Sequence, residues 1–313
     1  MQNLSKILVE PDDPAFLERS VDTSASLLDF TALNVRDLRE EFFRRQQNYH
    51  TTPFDVDGEY LRLFPSNITV WSGTPGAGKT TLLRQLACHL MAKNIGVFVA
   101  SLEQDPIDCF MEHVRTAAGC WNPDLLQTEH FVNAYAERGL FKLWAGTDLA
   151  RYGQLLAVIR VLAKQGIRHA IIDSLMCLDV SPKDIDAQQA FAKQLRLTAR
   201  KSGVHIHLVA HPRKPAEAGA DMDVHDIGGA KEIGGIVDNV LFVMRDKDEN
   251  TLGKATSTKM KIAVKKQRNY HGGTGNIHGF FHRDFRQFSQ DQWMNKPNHY
   301  LPELAYEQHE DFA

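Results

Sequence analysis

Cysteine, long apolar runs and net charge are all scarce in this sequence of 313 residues. The four cysteines, Cys88, Cys109, Cys120 and Cys177, are scattered and form no C-x-x-C pair. This spacing argues against the common zinc and disulfide frameworks and fits a reducing compartment. We therefore expect a cytoplasmic protein.

No apolar run approaches the ~20 residues that span a bilayer, and the N-terminus MQNLSKILVEPDD has no secretory pattern, so we expect no membrane partner. A net charge of −3 argues against a generally basic nucleic-acid binder. Residues 245–268 nevertheless carry eight Lys or Arg against three Asp or Glu, a local net charge of +5. Such a run is either a solvated face or a local binding surface.

The stretch WSGTPGAGKTT (71–81) fits the phosphate-binding pattern G-x-x-x-x-G-K-[ST]. Its glycines allow backbone N–H groups to turn toward a phosphate, and a β-rich run before it and a helical pattern after it place the loop at a helix N-terminus. The lysine would reach the β- and γ-phosphates, and the threonine hydroxyl would bind Mg²⁺. The predicted binding residues are Gly73, Thr74, Pro75, Gly76, Ala77, Gly78, Lys79, Thr80 and Thr81.

Strand and helix patterns alternate along the chain. Predicted strands lie at 67–72, 96–103, 139–145, 168–175, 204–211, 238–246 and 260–268, and predicted helices at 33–48, 80–94, 105–118, 149–166 and 184–202. The strands are near-continuous apolar runs, as expected when both sheet faces are covered. This order predicts an α/β fold with a mostly parallel central sheet flanked by helices. Residues 275–288 predict a C-terminal β-hairpin that turns at Arg283 and Asp284.

Polar side chains at the strand ends indicate the chemistry, because ligands lie at the carboxyl ends of parallel strands. Asp173 follows AII and fits a Mg²⁺-associated aspartate, or a carboxylate that caps a turn. Glu103 ends VASLE and fits a general base, or a surface glutamate at a helix start. His211 fits a γ-phosphate sensor, but taken alone this residue is better interpreted as a structural histidine. Lys266 and Arg268, two residues apart on one strand face, fit cations aimed at a neighbour's phosphate, or ordinary surface charge.

Six stretches of the sequence carry a resemblance to a known protein family. They are SGTPGAGKTTLL, FVASLEQ, AIIDSLMCL, LVAHPRK, IGGAKEIGGIVDNVLFV and KKQRNYHGGTGNIHGFF. In this order they resemble the hexameric replicative helicases of the DnaB type and their phage and mitochondrial primase-helicase relatives. The resemblance covers about 67–288 and implies a RecA-like P-loop NTPase fold. His211 stands where bacterial members commonly have glutamine and phage-type members have histidine, which places the chain closer to the phage and mitochondrial branch.

The resemblance also implies roles for particular residues. ATP would bind at 73–80 with Mg²⁺ held by Thr80 and Asp173, and the catalytic set would comprise Lys79, Glu103, His211 and Arg268. Arg268 would act from a neighbouring subunit, with Lys266 beside it. The segment 212–234 would include a loop that faces single-stranded DNA. Its predicted nucleic-acid contacts are Arg213, Lys214 and Lys231, and a plain mobile loop is the alternative.

Three regions follow: an N-terminal extension with a linker helix (1–60), the RecA-like ATPase domain (61–290) and a polar tail (291–313) that we expect to be loose. We expect no primase module and no helical N-terminal domain of the bacterial type, which leaves a separate primase or loader as an expected partner. The resulting prediction is an ATP-dependent single-stranded DNA translocase or replicative helicase that assembles as a homo-oligomer, with a hexamer expected. The alternatives are another RecA-like DNA-dependent ATPase in recombination, repair or loading, a factor that uses ATP as a switch, and a small-molecule kinase.

Overall fold

The structure, a computed structural model, describes residues 34–146, 150–181, 184–212, 223–227, 231–245, 257–268 and 274–302. The chain divides into two compact units, one that ends at Asn48 and one that begins at Tyr49. In the first unit, helix α1 (Val35–Gln47) begins where the Asn34 side chain accepts a hydrogen bond from the backbone of Arg36. No residue of α1 is buried, and its phenylalanines remain about half exposed.

The second unit is built on one nine-stranded sheet among the described residues. The strands are β1 (Ile68–Ser72), β2 (Gly96–Ser101), β3 (Phe141–Leu143), β4 (Ile167–Asp173), β5 (His205–Val209), β6 (Asn239–Arg245), β7 (Ser257–Gln267), β8 (Gly275–His282) and β9 (Gln287–Ser289). Their order is β3-β2-β4-β5-β1-β6-β7-β8-β9. The first six of that order pair in parallel, and β7, β8 and β9 add antiparallel to β6.

Helices cover both faces of this sheet. They are α2 (Lys79–Ala92), α3 (Pro106–Ala118), α4 (Leu125–Phe131), α5 (Tyr152–Lys164), α6 (Ile185–Ser202) and α7 (Lys231–Ile236). One apolar layer contains the inward faces of α2, α3 and α4, and the other contains those of α5 and α6. Strands β1, β2 and β5 are buried along their whole length, as a parallel sheet between two helical layers requires. Within the described ranges, no helix combines the length and apolar character that a membrane crossing requires.

Every predicted strand and helix is present within a few residues of its predicted ends, and the hairpin is confirmed with its turn between β8 and β9. The α/β fold with a mostly parallel sheet is therefore confirmed. The sequence patterns missed α4 and the π-helical turn that continues it (Val132–Ala136). The side chains of Asp124 and Gln127 form a capping box that fixes the start of α4.

The prediction of a loose tail is wrong for residues 291–302. Tyr300 is 5% exposed, and its hydroxyl accepts a hydrogen bond of 2.9 Å from Gln85 of α2. The Gln287 side chain joins the same segment through Asn298, donating to its carbonyl and accepting from its backbone N–H. A single buried aromatic residue outweighs the polar composition of this stretch.

Buried histidines line the start of the central strands. His169 and His207 are joined by a hydrogen bond of 3.0 Å, and the half-buried His50 contacts His169 at 2.7 Å. His205 contacts the carbonyl oxygen of Phe64 at 2.7 Å. Burial lowers the pKa of His205 to about 4 and holds the pKa values of His169 and His207 well below the usual 6.5. The folded protein therefore requires these three rings to be neutral.

We expect the free energy of unfolding to fall as the pH drops below 6.5. The unfolded chain takes up protons on these histidines below that pH. In the folded chain His205 does so only near pH 4, and the pKa values of His169 and His207 also lie well below 6.5. The full contribution to stability is present above pH 6.5. Below that pH, each fully buried histidine lowers the free energy of unfolding by about 1.4 kcal/mol per pH unit. Urea unfolding at pH 7.5 and 5.5 measures the effect.

The exposed His278 offers a matched control for this experiment. His207→Gln should flatten the dependence of the unfolding free energy on pH, and His278→Gln should leave it unchanged. Equal stability of the wild-type protein at both pH values would rule out the buried rings as the cause.

Candidate active site

The phosphate-binding loop joins β1 to α2, and its glycines hold backbone conformations that other residues avoid. Gly73 has φ of +143°, and a Cβ atom there would lie 2.3 Å from the carbonyl oxygen of Val243. Gly78 has φ of +100°, with a Cβ position 2.7 Å from the end of the Met260 side chain. Gly76 has φ of +75° but faces open space. The sheet itself therefore forces glycine at the first position.

Lys79 is the first residue of α2 and is 6% exposed. Its Nζ donates to the carbonyl oxygens of Gly73 at 2.8 Å and Thr74 at 3.1 Å, so the side chain folds back over its own loop. Burial lowers the pKa of Lys79, and the carboxylates of Asp173 and Glu103 oppose that effect. The ammonium group and the helix N-terminus thus lie together, as a phosphate site requires.

Thr80 and Asp173 meet beside the loop. The Thr80 hydroxyl donates to Asp173 Oδ2 at 2.6 Å, and Asp173 is 5% exposed at the end of β4. Burial raises the pKa of Asp173, and the hydrogen bond from Thr80 opposes the rise. A hydroxyl in contact with a buried carboxylate offers oxygen ligands of the kind that Mg²⁺ prefers, so the residues present fit that ion.

Glu103 lies just beyond β2 and faces the same space. Its Oε1 accepts a hydrogen bond from the hydroxyl of Ser174, which is fully buried, and lies 3.9 Å from His211 Nε2. The side chain of Glu103 remains 47% exposed. Strand pairing of β2 with β4 and of β4 with β5 brings these three strand ends together. The positions of Glu103, Asp173 and His211 are consistent with the sequence prediction that they share one site. The sequence analysis did not identify Ser174 as a residue of this site.

A cavity of about 380 Å³ extends from the loop toward the antiparallel strands. Residues that the sequence reasoning missed form its far wall: Arg245, Met260, Phe281 and Arg286. Arg245 is the last residue of β6, so its position at a strand end could have identified it from the sequence. No sequence signal identifies Phe281 and Arg286, because only the antiparallel pairing of β8 and β9 carries them to the cavity.

Arg286 is held in this wall by a shared carboxylate. Glu112 accepts hydrogen bonds from Arg286 and from Arg84 and Arg115, the latter two at 2.8 Å each. Burial alone would raise the pKa of Glu112, but the hydrogen bonds from Arg286 and Arg115 and the charge of Arg84 lower it. The Arg286 guanidinium also lies 4.9 Å from the ring centroid of Trp121. These contacts fix a cation beside the cavity.

Lys266 and Arg268 lie outside the nucleotide cavity. The structure describes both residues, and neither of them lines the cavity. Lys266 Nζ donates to the carbonyl oxygen of Gly234 at 2.8 Å, and Arg268 Nη2 donates to that of Gly235 at 2.7 Å. Both cations therefore rest on α7, and the Arg268 side chain is 43% exposed. Their predicted role toward a neighbour's phosphate stays a prediction.

The predicted nucleic-acid contacts are not tested by the structure. Arg213 and Lys214 lie outside the described residues, and the side chain of Lys231, the first residue of α7, lies outside them as well.

We expect Gly73→Ala and Gly76→Ala to differ sharply in nucleotide affinity. The Cβ atom at position 73 cannot be accommodated without moving β6, whereas position 76 has space and carries only the strain of a positive φ, about 1 kcal/mol. Titration with a fluorescent ATP analogue should show a loss of at least about tenfold for Gly73→Ala, and less for Gly76→Ala. Equal affinities of the two variants would contradict this explanation.

Comparisons with known proteins agree with this geometry. A family model described as AAA domain matches residues 60–217, about half of the chain. The ATPase domain of a phage helicase superimposes with a TM-score of 0.65 at 14% identity, over 81% of this chain and 96% of that domain. A DnaB-like replicative helicase, solved for its interactions with primase, gives 0.63 at 14% identity, over 86% of this chain and 69% of the helicase. No curated protein sequence matches the chain significantly.

At this identity the two structures establish the fold alone, which is a RecA-like P-loop fold similar to that of both helicases. The matched family segment contains the phosphate-binding loop, Glu103, Asp173 and His211. The chain therefore belongs to the AAA domain family, and it is an ATP-hydrolysing enzyme.

Proposed function

We propose that this protein is a ring-forming, ATP-dependent translocase of single-stranded DNA, a replicative helicase that hydrolyses ATP between subunits. One observation supports the proposal: residues that would form a single catalytic site lie in two separate places on the chain. The loop, Asp173 and Glu103 surround the cavity, whereas Lys266 and Arg268 rest on α7 outside it. A second copy of the chain would bring its cations to this cavity.

In this mechanism Lys79 binds the β- and γ-phosphates after exchanging its loop carbonyls for phosphate oxygens. Glu103 orients and deprotonates the attacking water, with Ser174 holding one carboxylate oxygen so that the other faces the water. Arg268 of a neighbouring subunit offsets the charge that develops on the transferred phosphoryl group. His211, within 3.9 Å of Glu103, responds to loss of the γ-phosphate and passes the change to the segment that follows β5.

Thr80 and Asp173 would hold Mg²⁺, which would neutralise phosphate charge when bound. The opposing wall of the cavity, with Phe281 and Arg286, would receive the remainder of the nucleotide. Both features support ATP as the substrate.

The partners follow from the same proposal. Single-stranded DNA would contact the segment 212–234 through Arg213, Lys214 and Lys231. In a hexamer, the six copies of this segment would converge in one central channel. A separate primase or loader would dock on the ring, in line with the primase interaction named for the DnaB-like neighbour. We place the assembly in the cytoplasm.

Another DNA-dependent ATPase, in recombination, repair or loading, remains the second candidate. The observation in its favour is that the family match ends at residue 217, before the strands that carry Lys266 and Arg268. The two candidates differ in whether Arg268 serves a neighbouring site.

We expect the ATPase rate per subunit to climb steeply with protein concentration and to rise further with single-stranded DNA. Arg268→Ala should lower the stimulated rate by roughly 10³-fold, the lower end for a finger supplied from another molecule. Arg138→Ala, a change at another exposed arginine, is the matched control. The measurement is phosphate release at one fixed salt concentration.

Mixing variants separates the two candidates. Lys79→Ala subunits lack a working loop but keep Arg268, so adding them to Arg268→Ala subunits should restore activity. A mixture no more active than the sum of its parts would contradict a shared site, and a rate indifferent to concentration and DNA would remove the helicase proposal.

Ser174 provides a prediction about the proposed base. Ser174→Ala should lower kcat roughly 10–100-fold with unchanged ATP affinity, since a hydrogen bond to a charged group is worth about 1.5–3 kcal/mol. If the hydroxyl acts through Glu103, the Glu103→Ala variant should lose nothing further when Ser174→Ala is added. Equal losses in both backgrounds would assign Ser174 a structural role instead.

A further inference from the structure

Positive charge is segregated in two segments that the active site does not use. Residues 150–168 contain four Lys or Arg and no Asp or Glu, and residues 193–203 again contain four and none. The whole chain, by contrast, has a net charge of −3. The first segment contains all of α5 and its connection to β4, and the second contains the last turns of α6. Because α5 and α6 pack against each other, the two basic segments are neighbours.

A groove of about 460 Å³ lies between the ends of these helices. Its charged lining consists of Arg160, Lys164 and Lys201, and the rest of its lining is small or apolar apart from Ser202. All three cations are exposed, and Arg160 is oriented by a hydrogen bond of 3.0 Å from its Nη1 to Thr198 Oγ1. In the part of the chain that the structure describes, none of the three forms an ion pair with a carboxylate.

The groove is remote from the nucleotide cavity. Helices α5 and α6 end just before β4 and β5 begin, whereas Asp173 and His211 lie where those strands end. At about 3.3 Å per residue, the seven residues of β4 separate the two places by roughly 20 Å. Lys164 and Lys201 also offset the negative ends of their helix dipoles, which needs no groove and no third cation. Arg160, one turn earlier, has no such role.

We propose that this basic groove binds the phosphodiester backbone of single-stranded nucleic acid, as a second contact surface away from the nucleotide cavity. Three cations on two helices, without an ion pair among the described residues, match a strand with one negative charge per nucleotide. Among the described residues, no aromatic side chain lines the groove. It therefore offers no stacking platform and would bind without regard to sequence. Its apolar lining, which includes Ala157, Val161 and Ala163, consists of small side chains. These offer less apolar contact than the large anchor residue of an acidic peptide needs.

The test is the affinity of the full-length protein for fluorescein-labelled oligo-dT, measured by anisotropy from 50 to 200 mM salt. Lys164→Glu/Lys201→Glu should weaken binding at least tenfold. Lys164→Gln/Lys201→Gln should weaken it less and lower the salt slope by about 1.4, for two lost phosphate contacts on a single strand. Arg138→Glu/Lys142→Glu carries the same change of net charge beside β3, at the far edge of the sheet, and is the control.

Each other outcome overturns the proposal. Equal weakening by the groove variant and the control would reflect net charge alone. Unchanged binding, together with a lowered melting temperature, would show that Lys164 and Lys201 serve only to stabilise the ends of their helices. Competition by poly-glutamate as effective as that by unlabelled oligo-dT would indicate an acidic protein partner. Basal ATPase should be unaffected in all of these variants, so a failure of the helicase proposal, seen as absent DNA stimulation, stays distinguishable from a failure of this one.

Discussion

The buried carboxylate of Asp238 ties together the elements on which the rest of the structure depends. It is fully buried just before β6, accepts a hydrogen bond from the backbone of Ile68 at 2.9 Å and pairs with Arg196 of α6 at 2.5 Å. Its own backbone carbonyl accepts from the N–H of Arg268. One residue thus fixes the starts of β1 and β6, the position of α6 and the end of β7. A buried charge is tolerated only when paired in this way, so these elements are constrained to one arrangement.

That arrangement decides what lies at each edge of the sheet. With β1 and β6 in register, the loop after β1 passes beneath the end of β6, which is why Gly73 cannot carry a side chain. Asp173 and Glu103 reach the same edge because β2 and β4 pair in parallel. The opposite edge, where the strands begin, holds the buried histidines and the basic groove. Two chemically different surfaces therefore follow from one parallel topology.

Much of this was predictable from sequence, and the physical reason differs between residues. Buried parallel strands leave near-continuous apolar runs, so the sheet and the polar residues at its strand ends could be identified before the structure. Ser174 could not be singled out, because a serine one residue beyond Asp173 acquires meaning only when Glu103 lies opposite it. Phe281 and Arg286 reach the cavity through antiparallel pairing distant in sequence from the loop. Tyr300 packs against α2 from a stretch whose polar composition suggests no structure.

The placement of Arg268 is the main physical support for the proposed assembly. Its guanidinium spans the carbonyl oxygen of Gly235 and, at 3.8 Å, the buried carboxylate of Asp238, and it remains 43% exposed. A cation that existed only to compensate Asp238 would be redundant, because Arg196 already pairs with that carboxylate at 2.5 Å. Arg268 is instead held through its guanidinium by the same carboxylate that positions β1 and β6, and its side chain remains partly exposed. An arginine anchored in this way loses little side-chain entropy when a phosphate approaches, which is the property required of a cation offered to another molecule.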